Sequence, residues 1–231
     1  VPGDKTSWGS FEMPDERAEA ASKGIAEAAA AKAGATGIEK LIGDMYATGM
    51  DEAKIEAAGI APIQPMLDRI NGLKTPADIA QYLRDEFAAG RGEVFSFGAE
   101  ADFKNSSQKI GYAFQGGLSL PEKAYYLEDG PDGKYKAIRE AFVKHVSKQL
   151  QNAGVAVADA DKQAADVLAF ETRLAKASLS PVELRDPNNQ YHYVSMADAD
   201  KASPNFPWSA FFQANGVQAD GFSLSQPKFF A

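Results

Sequence analysis

The sequence predicts a mostly α-helical fold that carries one small antiparallel β-ribbon, at about residues 93–98 and 108–115. Three observations predict it. Helix start and stop signals recur along nearly the whole chain. Apolar residues fall at three- and four-residue spacing over several long stretches. Only two short segments alternate with the period of a strand.

Taken in order, residues 13–33 are rich in Ala, Glu and Lys, which are strong helix formers, and Gly34 closes them. Thr36-x-x-Glu39 has capping-box spacing and opens a helix through Leu41, Ile42, Met45 and Tyr46. Gly49 ends that helix, and Asp51 caps the next, which runs to Gly59. Thr75-Pro76 places a cap and a first-turn proline before Ile79, Leu83 and Phe87. In residues 93–97 the side chains of Phe95 and Phe97 share one face, and in residues 108–115 Ile110, Tyr112 and Phe114 alternate with Lys109, Gly111 and Ala113. A two-stranded ribbon is marginal alone, so it is expected to lie on helices. The clearest amphipathic helix covers about residues 132–153, with Tyr135, Ile138, Phe142, Val146 and Leu150 on one side and Gly154 as its stop. Another covers about residues 158–177. Ser180-Pro181-x-Glu183 and Ser195-x-x-Asp198 start two short helices, and Pro207-Trp208 starts a last one carrying Phe211 and Phe212. With no internal repeat and no low-complexity linker, residues 1–231 read as one helical domain.

Bulk properties narrow the function classes. A formal charge of -8, from 32 acidic and 24 basic residues, gives no basic stripe to replace counterions on nucleic-acid phosphates. The same balance disfavours an anionic membrane surface. There is no cysteine, which excludes disulfides, thiolate nucleophiles and thiolate-ligated zinc. No stretch approaches the roughly 18 apolar residues that a membrane span needs. No signal peptide is visible at Val1, and a start on Val-Pro-Gly reads as the interior of a longer protein.

Candidate chemistry is sparse. A zinc site needs three or four converging ligands, yet the chain has two histidines, His145 and His192, far apart in sequence. His145 heads Val146-Ser147-Lys148-Gln149, without the glutamate and second histidine of HExxH, and reads as a packing or hydrogen-bonded residue. His192, between Tyr191 and Tyr193, reads as a surface or interface residue. No Gly-x-Ser-x-Gly occurs; Ser10 follows one glycine only. Gly116-Gly117 leads into a leucine-proline turn rather than a helix, which suits close backbone approach better than phosphate binding. Glu171 lies between Phe170 and Leu174 on a largely apolar helix and reads as a partly buried acid. It could serve acid–base chemistry. The structural alternative, with Arg173, Arg185 or a tyrosine as its partner, carries more weight because buried charges are normally paired. The aromatic clusters Tyr125-Tyr126, Trp208 with Phe211-Phe212, and Phe229-Phe230 read as core or domain interface rather than a ligand groove. The last pair is expected to be buried by polypeptide beyond Ala231.

One segment says more than these patterns. Gln115-Gly116-Gly117-Leu118-Ser119-Leu120-Pro121-Glu122-Lys123-Ala124-Tyr125-Tyr126-Leu127 resembles the Gly-Leu-x-Leu-Pro-x-x-x-Tyr-Tyr signature of the non-catalytic domain of neprilysin-like (M13) zinc metallopeptidases, bacterial type. Around it, in family order, stand Ser7-Trp8-Gly9-Ser10-Phe11, Tyr46-x-x-Gly49-Met50-Asp51-Glu52, Phe95-x-Phe97 and Asp102-x-Lys104-x-Ser106. Leu168-x-x-Glu171-x-x-Leu174-Ala175, Glu183-Leu184-Arg185-Asp186-Pro187 and Pro207-Trp208-x-x-Phe211-Phe212 complete the series.

The resemblance implies a parent zinc endopeptidase, secreted or periplasmic, that cleaves peptides on the amino side of hydrophobic residues. Residues 1–231 would be an incomplete cap domain, partnered by its own downstream catalytic domain and by peptide substrates. The zinc ligands would lie outside these residues, so this chain alone would hold no zinc, contribute no catalytic residue and be inactive. Ser7, Phe11 and Glu12 fall where the family lines a pocket for the residue that follows the scissile bond's partner. Serine stands there in place of an arginine and cannot make the bidentate carboxylate contact. The alternative is a free-standing helical module that binds a peptide or protein without catalysis.

Overall fold

The computed structural model describes residues 3–5 and 8–231. They group into two units, one of residues up to Pro65 and one from Met66 onward.

In the first unit, α1 (Glu12–Ala31) lies along α2 (Gly37–Met50). Their contact is made close by small residues. A Cβ on Gly43 would stand 2.6 Å from the Ala29 carbonyl oxygen, so a side chain there would force the helices apart. Polar ties flank the contact: the Lys32 ammonium donates to both Glu39 oxygens at 2.9 and 2.7 Å, and the Tyr46 hydroxyl donates to Glu27 at 3.3 Å. Glu39 is therefore engaged with Lys32, and Thr36 makes no side-chain cap, although the helix starts where the capping-box spacing places it. Asp51 does cap α3 (Glu52–Ala58), accepting from the Lys54 amide at 3.1 Å.

The second unit takes in α4 (Gln64–Gly72) from Met66 onward, followed by α5 (Pro76–Ala88). Thr75 and Asp78 form a reciprocal capping box on α5, with Pro76 in the first turn. Strands β1 (Phe95–Ala101) and β2 (Lys109–Gln115) pair antiparallel, with Phe97 opposite Ala113. The hairpin is pinned by one side chain: the Tyr112 hydroxyl accepts from the Phe103 amide and donates to the Ala101 carbonyl, both at 3.1 Å. After α6 (Ala124–Leu127), helices α7 (Lys134–Asn152) and α8 (Val157–Ala177) pack on each other through small residues. Ser147 donates to Asp161 at 2.5 Å, and Ala160 and Ala164 are fully buried. Strand β3 (Tyr193–Ser195), α9 (Met196–Ala202), α10 (Trp208–Ala214), β4 (Gly221–Leu224) and α11 (Pro227–Phe230) complete the chain.

The expected ribbon is thus the first half of a four-stranded mixed sheet, order β1-β2-β4-β3. Strand β4 runs parallel to β2, pairing Tyr112 with Ser223, and antiparallel to β3. The fold remains mostly α. An aromatic core joins sheet to helices: Phe97 packs its ring at 5.2 Å from both Phe211 and Phe212, and Trp208 lies 4.9 Å from Phe222. Phe230 closes on it, 5.5 Å from Trp208, and the Phe229 ring packs 5.1 Å from Phe230, both residues being half-buried.

A buried ion pair ties α4 to α5 and the turn after it. Glu86 is 1% exposed, accepts from Arg69 at 2.8 Å, and takes two bonds from Arg91, at 2.5 and 3.0 Å. The Arg91 guanidinium, then Arg69, hold its carboxyl down from 4.5 to about 2, against the opposing effect of desolvation. The folded carboxyl binds its proton less readily than the unfolded one. Its stabilisation is therefore present above pH 4.5 and lost as pH falls toward about 2. Denaturation midpoints of the wild type and Glu86→Gln, measured across pH, should differ by a constant amount above pH 5 and converge between about pH 4.5 and 2.

Candidate functional site

Of the residues expected from the resemblance to line a substrate pocket, Phe11 and Glu12 sit at the start of α1. Ser7 lies outside the described residues. Phe11 occupies the N-cap position of α1 and is 84% exposed, so it is no packing anchor within this structure. Glu12 begins the helix and folds back over Gly9, whose added Cβ would meet its carboxylate oxygen at 2.8 Å.

The histidines do not converge. His145 is exposed on α7, and His192 is exposed just before β3, where its backbone amide donates to the Ser223 hydroxyl at 3.0 Å. Among the described residues no group of three or more His, Asp or Glu side chains is placed to hold a metal ion.

The segment between β2 and α6 is where the structure concentrates its buried polar chemistry. Gly116 and Gly117 bring the backbone against Val94: a Cβ at either would stand 3.1 and 3.0 Å from the Val94 carbonyl oxygen. Gly117 also takes φ +72°, a conformation a side chain would strain. That turn delivers Ser119 to Glu171, which is 7% exposed on α8. One carboxylate oxygen accepts the Ser119 hydroxyl at 2.7 Å; the other accepts the Ser119 amide at 3.1 Å and the Tyr126 hydroxyl in a short bond. Tyr126, buried on α6, in turn accepts the Leu120 amide at 2.8 Å. Burial and the neighbouring carboxylate both push the tyrosine hydroxyl well above its ordinary range, so it stays a donor at every working pH.

Glu171 therefore takes the tyrosine as its partner, rather than Arg173 or Arg185. Three donors occupy its two oxygens, which makes it an anchor for the loop. A second clamp lies beside it. Gln115, at the end of β2, donates to the Leu179 carbonyl at 2.8 Å and accepts the Leu179 amide at 2.7 Å, while its own amide donates to Gln226 at 2.9 Å. Lys123 donates to the Ser178 carbonyl at 2.6 Å. Loop, α6 and the exit of α8 are thus bound into one piece. Beside them is a cleft of about 250 Å³, lined by Leu118, Leu120, Pro121, Leu179, Pro181 and Leu184 among others.

The sequence points to Glu171 and to a tyrosine as one possible partner. It gives no sign of Gln115 or Glu86, since neither stands in a pattern that marks burial. Ser180 and Glu183 do exchange bonds as their spacing predicts, but the helix they start is a single 3₁₀ turn, Glu183–Arg185. The following Asp186-Pro187 stops it: Asp186 caps the turn Pro187–Gln190 by accepting the Asn188 amide at 2.9 Å.

Removing only the tyrosine hydroxyl (Tyr126→Phe) leaves Glu171 one donor short in a buried setting. The variant should lose about 1.5–3 kcal/mol in urea unfolding, the usual worth of a hydrogen bond to a charged group.

The sequence model described as peptidase family M13 matches residues 1–231. Endothelin-converting enzyme 1 of Rattus norvegicus is 26% identical over 225 residues, which is 93% of this chain and 28% of that protein. Neprilysin-3 of Drosophila melanogaster is 24% identical over 233 residues, 96% of this chain and 29% of the relative. The chain therefore spans less than a third of the length of these relatives. Among solved structures, the zinc metalloprotease Zmp1 of Mycobacterium tuberculosis, in complex with an inhibitor, superposes with a TM-score of 0.83 at 27% identity, covering 100% of this chain and 35% of Zmp1. PepO of Lactobacillus rhamnosis shares the fold at a TM-score of 0.74 and 16% identity, covering 100% of this chain and 36% of PepO.

Proposed function

Because this chain belongs to peptidase family M13, we propose that it is part of the non-catalytic, substrate-enclosing portion of a zinc metalloendopeptidase. The observation that carries the proposal is the family match over residues 1–231, joined to the superposition on a zinc metalloprotease. Zinc would supply the hydrolytic chemistry of the parent. Among the described residues no group of three or more His, Asp or Glu side chains fits the ion; in this reading the zinc ligands belong to other polypeptide of the parent, and no catalytic step is routed through these side chains.

What these residues would do is enclose and exclude. A rigid cap restricts entry to flexible peptides and keeps bulk water from the reacting bond. The Glu171 anchor supports that role, because it fixes the loop between β2 and α6 without spending conformational freedom at the site. Phe11 and Glu12, with Ser7, would border a pocket for the substrate residue that follows the scissile bond's partner, and serine at position 7 offers no bidentate grip on a free carboxylate. Cleavage well inside a peptide is then favoured over cleavage near a free C-terminus. The parent would act outside the cytoplasm, secreted or periplasmic. Among the described residues no helix is long and apolar enough to cross a membrane.

Peptide hydrolysis by the full-length parent and by residues 1–231, each with added zinc, tests this reading. The expected result is chelator-sensitive cleavage before hydrophobic residues by the parent, and none by residues 1–231. Chelator-sensitive turnover by residues 1–231 alone would overturn it, and a parent inert at every zinc concentration would favour a binding module.

A further inference from the structure

A cavity of about 340 Å³ lies where the exit of α8 meets the turn Pro187–Gln190, the start of β3 and the chain just after β4. Its walls fall between residues 177 and 228, so the second unit alone builds it. That volume is at the small end of ligand sites. Part of its lining is polar and deeply buried: Ser225 and Gln226 are 2% and 3% exposed. Lys228 and His192 line it from exposed positions. No acidic side chain takes part, in a chain whose formal charge is -8.

The fold leaves donors here with little to do. The Gln226 side-chain carbonyl accepts the Gln115 amide at 2.9 Å, but its NH2 group reaches only the Asn189 carbonyl, at 3.5 Å. That distance is at the outer limit of a hydrogen bond, and the group has two hydrogens to place. A buried donor so poorly matched costs stability until an acceptor arrives. Among the described residues, neither the Lys228 ammonium nor the His192 ring has a hydrogen-bond or ion-pair partner. The amides of Asn188 and Asn189, by contrast, are turned to Asp186 and to the Glu183 carbonyl, at 2.9 and 2.8 Å, and shape the wall. One ammonium, one imidazole N–H and one under-used amide therefore border a space with no competing carboxylate. Such a set matches an anionic pair of oxygens: the lysine supplies charge, and the neutral N–H groups supply direction. We infer that this cavity binds a carboxylate, carried by a small organic acid or by the C-terminus of a short peptide.

Isothermal titration calorimetry on the full-length protein tests it, with a chelator present throughout so that no carboxylate is held by zinc. The probes are N-acetyl-dialanine, the same dipeptide as its C-terminal amide, and succinate. At least one of the two acids should bind saturably at one site per chain, with Kd below about 10 mM. The amide should bind at least about tenfold more weakly than the dipeptide acid, if that acid binds. Replacing Lys228→Gln together with His192→Gln should weaken acid binding about tenfold, whereas Lys201→Gln, the same loss of charge on α9, should change it less than about twofold. Binding of the dipeptide acid without succinate assigns the site to a peptide terminus; binding of succinate assigns it to small acids as well. No saturable binding of either acid would overturn the site. So would equal affinity for acid and amide, or equal weakening by Lys201→Gln and the double variant. The comparison of acids with the amide uses the unaltered protein, so it decides the matter even where the double variant fails to fold. Zinc is absent from every sample, so failure of the peptidase reading leaves these outcomes as they stand.

Discussion

A carboxylate cannot be taken out of water without donors to replace the solvent it loses. Glu171 meets that demand with the hydroxyl and amide of Ser119 and the hydroxyl of Tyr126. The local order between β2 and α6 follows. The loop after β2 must turn tightly at Gly116-Gly117 to deliver Ser119, and α6 must stand where Tyr126 reaches both the carboxylate and the Leu120 amide. Gln115 then holds the exit of α8 against the end of β2. The donors come from two places along the chain, the loop at Ser119 and α6 at Tyr126, so the acid ties a connecting segment at both ends.

How much of this is legible in sequence depends on the range over which each signal acts. Local signals read well: Thr75 with Asp78, Asp51, and Ser195 with Asp198 cap helices where their spacing places them. The alternation of Ile110, Tyr112 and Phe114 marks a true strand. Short elements held by distant partners do not read. Strands β3 and β4 exist because Val194 meets Phe222 and Tyr112 meets Ser223, long-range pairings that leave no period of their own. Helices α4 and α6 are likewise too short for a stripe to register. Thr36-x-x-Glu39 shows the converse, where a local pattern is overruled because Lys32 offers Glu39 a stronger, charged partner.

The candidate site divides the same way. Glu171 stands out because an acid between Phe170 and Leu174 interrupts an apolar face, and of the partners its sequence allows, the tyrosine is the one the fold supplies. Glu86 gives no such hint: its neighbours on α5 are mixed, and its burial is set by Arg69 on another helix and Arg91 beyond the turn. In the first unit the stripe on α2 is legible as a helix face. Which side of that helix meets α1 is not, because that depends on where Gly43 lets α1 approach.

The decisive observation on the anchor is amide hydrogen exchange at Ser119 and Leu120, residue by residue, near neutral pH. Held by Glu171 and the Tyr126 hydroxyl, these two amides should exchange as slowly as the interior of α8. Exchange at the rate of an open surface loop would mean that the carboxylate does not hold the segment, and the account of the cap would fail with it.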